Sequence, residues 1–480
     1  MGVLDGLEPR SVFRYFEALC AIPHGSGDCK AISDYCMEFA RRRGLFCRQD
    51  GAYNVVIKKP GSPGYENALP VIVQGHLDMV VKKSGESGRD LQKDGIQLQV
   101  DGDWVCAKDS TLGGDNGIAV AMGLAILDDE SICHPPLEIL FTTDEEIGMV
   151  GAAQLDASDL QGRMLLNLDS EDEGIFTVSC SGGATATCRL PVEVSPCAGT
   201  SLKITVSGLT GGHSGMEIIK GRANACVLLG RILGAVWDRV PFRLVCADGG
   251  GKDNAIANSA WAQIVVPEGI DEVRRVVSST EQNLRGSFVR TDPGLSVCVS
   301  EDGGSTAAMT PEDTQRCIRF LTECPDGVRE MSRDFPGLVQ TSLNLGILST
   351  EDNCLCTVHC LRSSVDTEVK MLIEQLQQLV KGLKGSCEIS GRYAPWEYRS
   401  DSQLRERMVQ VYRRLYGKEP VLEAIHAGLE CGVLAEKLPG LDAVSYGPDL
   451  RDVHTTRERM SISSVRRVWE FTLEVLKQCG

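Results

Sequence analysis

Five histidine and carboxylate positions stand where a metal ion could collect them. His76 and Asp78 belong to Gly75-His76-Leu77-Asp78 inside the apolar run VIVQGHLDMV, and period-two alternation along a strand points both side chains the same way. A metal-bound histidine commonly passes its other ring nitrogen to a carboxylate, and Asp78 is spaced for that role. Asp115 follows Thr111-Leu112-Gly113-Gly114 and opens a helix-like stretch. Glu145 and Glu146 adjoin each other after LEILFTTD. Two like charges so close are costly unless a cation offsets them or a proton stays, which leaves room for one glutamate as ligand and one as general base. Asp169 closes RMLLNLDS, and His454 stands far down the chain in Asp452-Val453-His454-Thr455. Each position also has an ordinary reading: a strand histidine, a helix cap, a solvated acidic turn. Together they supply five ligands, a set suited to two zinc ions that share one carboxylate and keep a position open for water or substrate.

The elements around them must bring distant positions to one place. Residues 9–20 and 28–43 carry apolar residues at helical spacing, and the runs at 71–80, 137–146 and 163–170 read as strands buried on both faces, with a crossover helix at 115–129. Four of the sites then fall at strand ends or just beyond, where open α/β sheets place their ligands. From about residue 184 the order changes to strand, helix, strand, strand, helix, strand, and a similar order follows from the helix at 311–323 to SCEISGRY. The expected fold is α/β. A split catalytic domain, 1–183 and 395–480, has a mixed, centrally parallel sheet flanked by helices. An inserted α+β lid, 184–394, is made of two ferredoxin-like halves.

Composition narrows the class. The 480 residues are 42% hydrophobic and 24% charged, as in a globular protein of two domains, and no apolar run reaches about 18 residues. The start, MGVLDGLEPRSVFRYFEALC, has no basic segment leading into an apolar one, so it does not read as a secretory signal. A cytoplasmic setting follows, with the 20 cysteines reduced; Cys354, Cys356 and Cys360 read as small hydrophobes on a strand. The net charge of −17 argues against nucleic acid or an anionic membrane as partner.

The ordered set GHLDMV, GGDNGIA, FTTDEEIG, NLDSED, GGHSG and GPDLRDVHT resembles the aminoacylase and dipeptidase family of dinuclear zinc metallopeptidases, over nearly the whole length. The resemblance implies that Asp115 bridges two metals, that His76 and Asp169 complete one site and that Glu146 and His454 complete the other. It implies Glu145 as the base, Asp78 as the orienter of His76, and a cis peptide at Asp115-Asn116. Aspartate at 169 is the choice of dipeptidase and aminopeptidase members, whereas many deacylases carry glutamate there. The activity implied is hydrolysis of short peptides with a free amino terminus, Xaa-His dipeptides among them. The alternative is an amidohydrolase removing acyl groups from N-acyl amino acids with the same site. The implied cofactors are two Zn2+ per chain, with Mn2+ or Co2+ able to use the same ligands. His213, in Leu209-Thr210-Gly211-Gly212-His213-Ser214-Gly215, would donate to the oxyanion on the attacked carbonyl. In relatives with short lids this histidine comes from a partner subunit; the doubled lid could present it within one chain, and a homodimer through the lid stays open. Asn254, Asn344, Arg362 and Gly428 are candidates for holding substrate.

Overall fold

The apolar runs of the first segment become the centre of an eight-stranded sheet, in the order Phe46–Gln49, Val55–Lys59, Leu137–Thr142, Val71–His76, Met164–Asn167, Asp442–Ser445, Ile175–Cys180, Val421–Ile425. The computed structural model describes residues 2–85, 88, 90–91, 93–303 and 307–480. The four strands from Leu137–Thr142 to Asp442–Ser445 are neighbours and run parallel, with antiparallel pairings outside them. They are almost wholly buried, as strands covered on both faces must be. Because they are parallel, the chain leaves His76, Thr142, Asn167 and Ser445 at the same edge of the sheet. The strands stop short of the apolar runs: the hydrogen-bonded ladder ends at His76, Thr142 and Asn167, and the residues beyond turn away to present side chains.

The helix Gly114–Asp128 packs on Val71–His76 and on the helix Arg10–Cys20. Every residue from Asn116 to Leu127 is buried, which its all-round apolar composition requires. Gly75 permits the close approach: a Cβ there would lie 2.5 Å from both the Ala119 Cβ and the Asn116 Oδ1.

The chain divides into two compact units, one of 1–180, 396–424 and 429–480, the other of 181–395 and 425–428. The segment 425–428 lies within the stretch read from sequence as catalytic domain, yet it groups with the second unit. That second unit holds a nine-stranded sheet, eight strands in one path and a ninth, Gly327–Met331, on Val339–Glu351. One half of the path runs Ser296–Glu301, Thr200–Ser207, Ala260–Val266, Arg243–Gly250, the antiparallel order of a βαββαβ ferredoxin-like unit. The other runs Val339–Glu351, Cys354–Ser363, Gly182–Pro191, Ser386–Tyr393, and is ferredoxin-like too. The halves are therefore nested. Gly182–Pro191 is the first strand of the second half, and the whole first half is inserted before the helix Pro311–Glu323 resumes it. They join edge to edge where Gly249 and Gly250 pair with Leu348 and Ile347. Among the described residues no helix is long and apolar enough to cross a membrane.

Candidate metal centre

All five expected ligands, with Asp78 and Glu145, belong to the first unit. Asp115 lies between the two histidines: one carboxylate oxygen is 3.2 Å from the His76 Nε2, the other 3.2 Å from the His454 Nε2. Asp169 lies 3.5 Å from the His76 Nε2, and the Glu146 Oε1 lies 2.7 Å from the His454 Nε2. Donor atoms of His76, Asp115 and Glu146 all fall within 4.8 Å of one another. The peptide Asp115-Asn116 is cis.

Local structure explains how each side chain is aimed. Asn116 accepts the His76 backbone N–H at 3.1 Å and donates to the Leu168 carbonyl at 2.7 Å, so the residue after Asp115 ties together the segments that carry His76 and Asp169. Asp78, fully buried, accepts the backbone N–H groups of Glu145 and Glu146 at 3.0 and 3.3 Å and the Ser26 hydroxyl at 2.8 Å. The His76 Nδ1 meets the Asp78 backbone carbonyl at 3.0 Å, closer than the Asp78 carboxylate at 3.5 Å. Asp78 thus steadies His76 largely through its main chain, and its carboxylate anchors the Glu145-Glu146 turn. His454 itself has a φ of 59°, a left-handed conformation uncommon outside glycine.

Below the ligands lies a polar layer that sequence reading missed. Glu430 is fully buried; it accepts from Gln74 at 2.5 Å and from Thr142 at 2.6 Å, while Gln74 accepts from Asn167 at 2.5 Å. Gln74, Thr142 and Asn167 stand on the three parallel strands that lead to His76, to the Glu145-Glu146 turn and to Asp169. No spacing rule marks such a layer, because its members sit at positions that otherwise read as interior strand.

The electrostatics describe a site that is short of positive charge. Burial opposes charging His76, but Asp169, Asp115 and Asp78 outweigh it and raise its pKa well above 6.5. Hydrogen bonds to Asp115 and Glu146 lift His454 to about 10. Burial, with Asp115 and Glu146 adding to it, pushes Asp169 up to about 6. Glu145 is raised well above the ordinary range by burial, reinforced by Asp169, Glu430 and Glu146. Asp115, although buried, is drawn down by His454 and His76. Four carboxylates that share one cavity with two histidines hold protons or a cation. Nitrogen and oxygen donors of this kind, with one carboxylate turned to both histidines, fit a pair of divalent cations that replace those protons.

The remaining candidates, His213, Asn254, Asn344, Arg362 and Gly428, belong to the second unit. The His213 Nδ1 accepts the backbone N–H groups of Gly215 and Met216, each at 3.2 Å, which puts the ring proton of the neutral imidazole on Nε2. Gly212-His213 pairs with Ala255-Ile256, so Asn254 is next to this histidine, and it is exposed. Arg362 is 8% exposed; its Nη1 donates to the Tyr393 hydroxyl at 3.0 Å, and its Nε has no partner. The Ser214 hydroxyl and the His426 Nδ1 are buried without partners as well. Gly428 follows in the loop after His426. Asn344 is different: its amide donates to the carbonyls of Asp253 and Ala255, each at 2.9 Å, and its oxygen accepts from Asn224 at 3.3 Å. It props the turn that presents Asn254 and has no donor left for a ligand. His134 and His359 are engaged with the Pro135 carbonyl and the Thr357 hydroxyl, away from the ligand set, whereas His24, bonded to the Ile22 carbonyl, lies close enough to His76 and Asp78 to feel their charge.

Comparison with known proteins finds similarity over the whole chain. The sequence profile described as peptidase family M20/M25/M40 matches residues 72–478. The cytosol non-specific dipeptidase of Escherichia coli (strain K12) is 36% identical over 482 residues, covering 100% of this chain and 99% of that one. The crystal structure of aminoacylhistidine dipeptidase from Vibrio alginolyticus superposes with a TM-score of 0.93 at 35% identity, over 99% of this chain and 98% of that one. An aminopeptidase from Bacillus cereus shares the fold, with a TM-score of 0.55 at 13% identity over 98% of this chain and 99% of that one.

Proposed function

The chain belongs to peptidase family M20/M25/M40, and on that footing we propose that it is a cytosolic dipeptidase that hydrolyses short peptides with a free amino terminus, Xaa-His dipeptides among them, with two zinc ions. The observation that carries this reading is Asp115, whose two oxygens each lie 3.2 Å from a different histidine inside a cluster of four carboxylates. Two relatives that match over the full length at 35–36% identity are named dipeptidases, and one of them is named as cytosolic.

In this reading His76 and Asp169 would hold one zinc and Glu146 and His454 the other, with Asp115 serving both. Bound there, the cations would bring the pKa of a water from 15.7 toward about 7 and polarise the scissile carbonyl. Glu145 takes the proton of the attacking water and returns it to the leaving amine. Burial raises its pKa in the metal-free chain, which favours holding the proton for delivery to the amine. His213 offers its Nε2 proton to the developing oxyanion, a role supported by the two amides that occupy its Nδ1. Burial, with Arg362 nearby, lowers the pKa of His213 and keeps the ring neutral, so it donates without carrying charge. Arg362, buried beside a neutral phenol and with an unfilled N–H, is suited to the peptide's terminal carboxylate. Asn254 and the Gly428 loop are assigned to the peptide backbone.

The test is an assay of metal-free protein against paired free and N-acylated dipeptides, with single metals added back. Free dipeptides should be cleaved once zinc is restored. Preference for the acylated partners would instead establish the deacylase reading.

A further inference from the structure

Glu458 stands four residues beyond His454 and is 3% exposed. Its Oε2 accepts the backbone N–H groups of Leu112 and Gly113 at 2.8 and 3.2 Å, and its Oε1 accepts that of Gly114 at 2.8 Å. Among the described residues it forms no ion pair with a cation. Successive main-chain N–H groups converging on one point make a concave seat for an anion. Here they stand at the entry to the helix Gly114–Asp128, whose backbone leaves helical geometry at Asp115 and Asn116, and they have no intrahelical acceptor. Gly113 turns the chain into this seat with a φ of 70°, and Asp115 is the next residue but one.

A helix start is ordinarily capped by a residue of its own loop. This one is capped from 344 residues away, by the segment that delivers His454. That segment is fixed on both sides of Glu458. Its N–H donates to the Thr455 carbonyl at 3.1 Å, and the strand that follows pairs Arg459 with Cys106 and Met460 with Val105. A carboxylate taken fully out of water is costly, and charge-assisted hydrogen bonds offset that cost only while the geometry holds. The contact therefore acts as a rigid link between two loops. One end sets the main chain of the bridging carboxylate, and the other sets the main chain of a histidine that faces it.

We infer that Glu458 is a positioning residue of the metal centre, clamping the Leu112–Gly114 turn to the His454 segment so that Asp115 and His454 stand at ligand spacing before metal arrives. The inference rests on the reading of Asp115 and His454 as metal ligands. Glu458→Gln keeps the size of the side chain but turns an amide N–H toward backbone donors. Loss of a partner that orients a ligand typically lowers metal affinity about 10- to 100-fold. The measurement is zinc affinity and stoichiometry by competition with a chromophoric chelator, with circular dichroism of the metal-free proteins. Expected is a native-like spectrum, a 10- to 100-fold weaker affinity, and kcat recovered in excess zinc with KM unchanged. A variant that melts lower but binds zinc as tightly as the wild type would reduce Glu458 to a structural cap and overturn the inference. Should the variant not fold, hydrogen exchange on the unmutated metal-free protein decides. The Leu112, Gly113 and Gly114 amides should be protected without metal, and rapid exchange there refutes a preformed clamp. If the wild-type chain takes up no zinc at all, the metal reading itself has failed, an outcome distinct from either.

Discussion

Asp78→Asn separates anchoring of the catalytic turn from chemistry within it. In the native site one Asp78 oxygen receives the Glu145 N–H at 3.0 Å, and the other receives the Glu146 N–H at 3.3 Å and the Ser26 hydroxyl at 2.8 Å. The substitution is nearly isosteric but replaces one acceptor by an NH2 group. At least one of the two backbone donors must then face a donor in a site with no access to water. A buried donor left unsatisfied costs about 1–3 kcal/mol, and at 1.4 kcal/mol per decade that is about 5- to 150-fold in an equilibrium constant. The strain falls on the turn that carries both the proposed ligand, Glu146, and the proposed base, Glu145. Metal affinity and kcat should therefore fall together, each within that range. Affinity is read by chelator competition and kcat at saturating metal. A variant with wild-type metal affinity would show that the Asp78 carboxylate does not hold the turn, and the geometric argument would be wrong.

Four further outcomes follow from the same geometry. Glu145→Gln should retain both metals and lose at least about 100-fold in kcat, since general base catalysis contributes roughly 10²- to 10⁴-fold; near-wild-type turnover removes Glu145 from the base role. Asp115→Ala should fail to retain metal on elemental analysis after dialysis, because one side chain serves both histidines; two retained metals per chain would refute the bridge. Metal binding near neutral pH should release protons, measurable by calorimetry in buffers of different ionisation enthalpy, because His454 is held at about 10 and must be neutral to ligate. The same raised histidine governs the stability of the metal-free protein. A histidine raised from 6.5 to about 10 lends stability that is complete below about pH 6.5 and is lost as pH rises toward 10. The melting temperature of metal-free protein should fall across that window; a flat profile removes the His454 ion pairs from the account.

Much of the site was legible because parallel strands leave a strong trace. An apolar run followed at once by a histidine or carboxylate marks both the strand and the edge where it ends, and His76, the Glu145-Glu146 pair and Asp169 all carry that mark. The second unit was legible as element order but not as topology. The stretch from 311 begins with a helix because its first strand, Gly182–Pro191, was made before the other half was inserted. No local pattern records that a strand is waiting for partners more than a hundred residues away.

The residues that escaped sequence reading share a physical cause. Asn116, Glu430 and Glu458 act on main-chain groups or on polar side chains of other segments, and such contacts have no spacing. Glu458 in Thr-Thr-Arg-Glu-Arg-Met looks like solvated charge until the unfilled N–H groups of Leu112, Gly113 and Gly114 are set beside it. The donors were visible in part, since a Gly-Gly pair ahead of an apolar helix predicts amides in need of an acceptor. What the sequence could not specify is that the acceptor comes from the segment of another ligand. That choice matters for function, because a cap taken from the local loop would satisfy the same amides without tying Asp115 to His454. A site assembled from chain positions so far apart needs its ligands held to each other as well as to the sheet, and Glu458 is placed to do so.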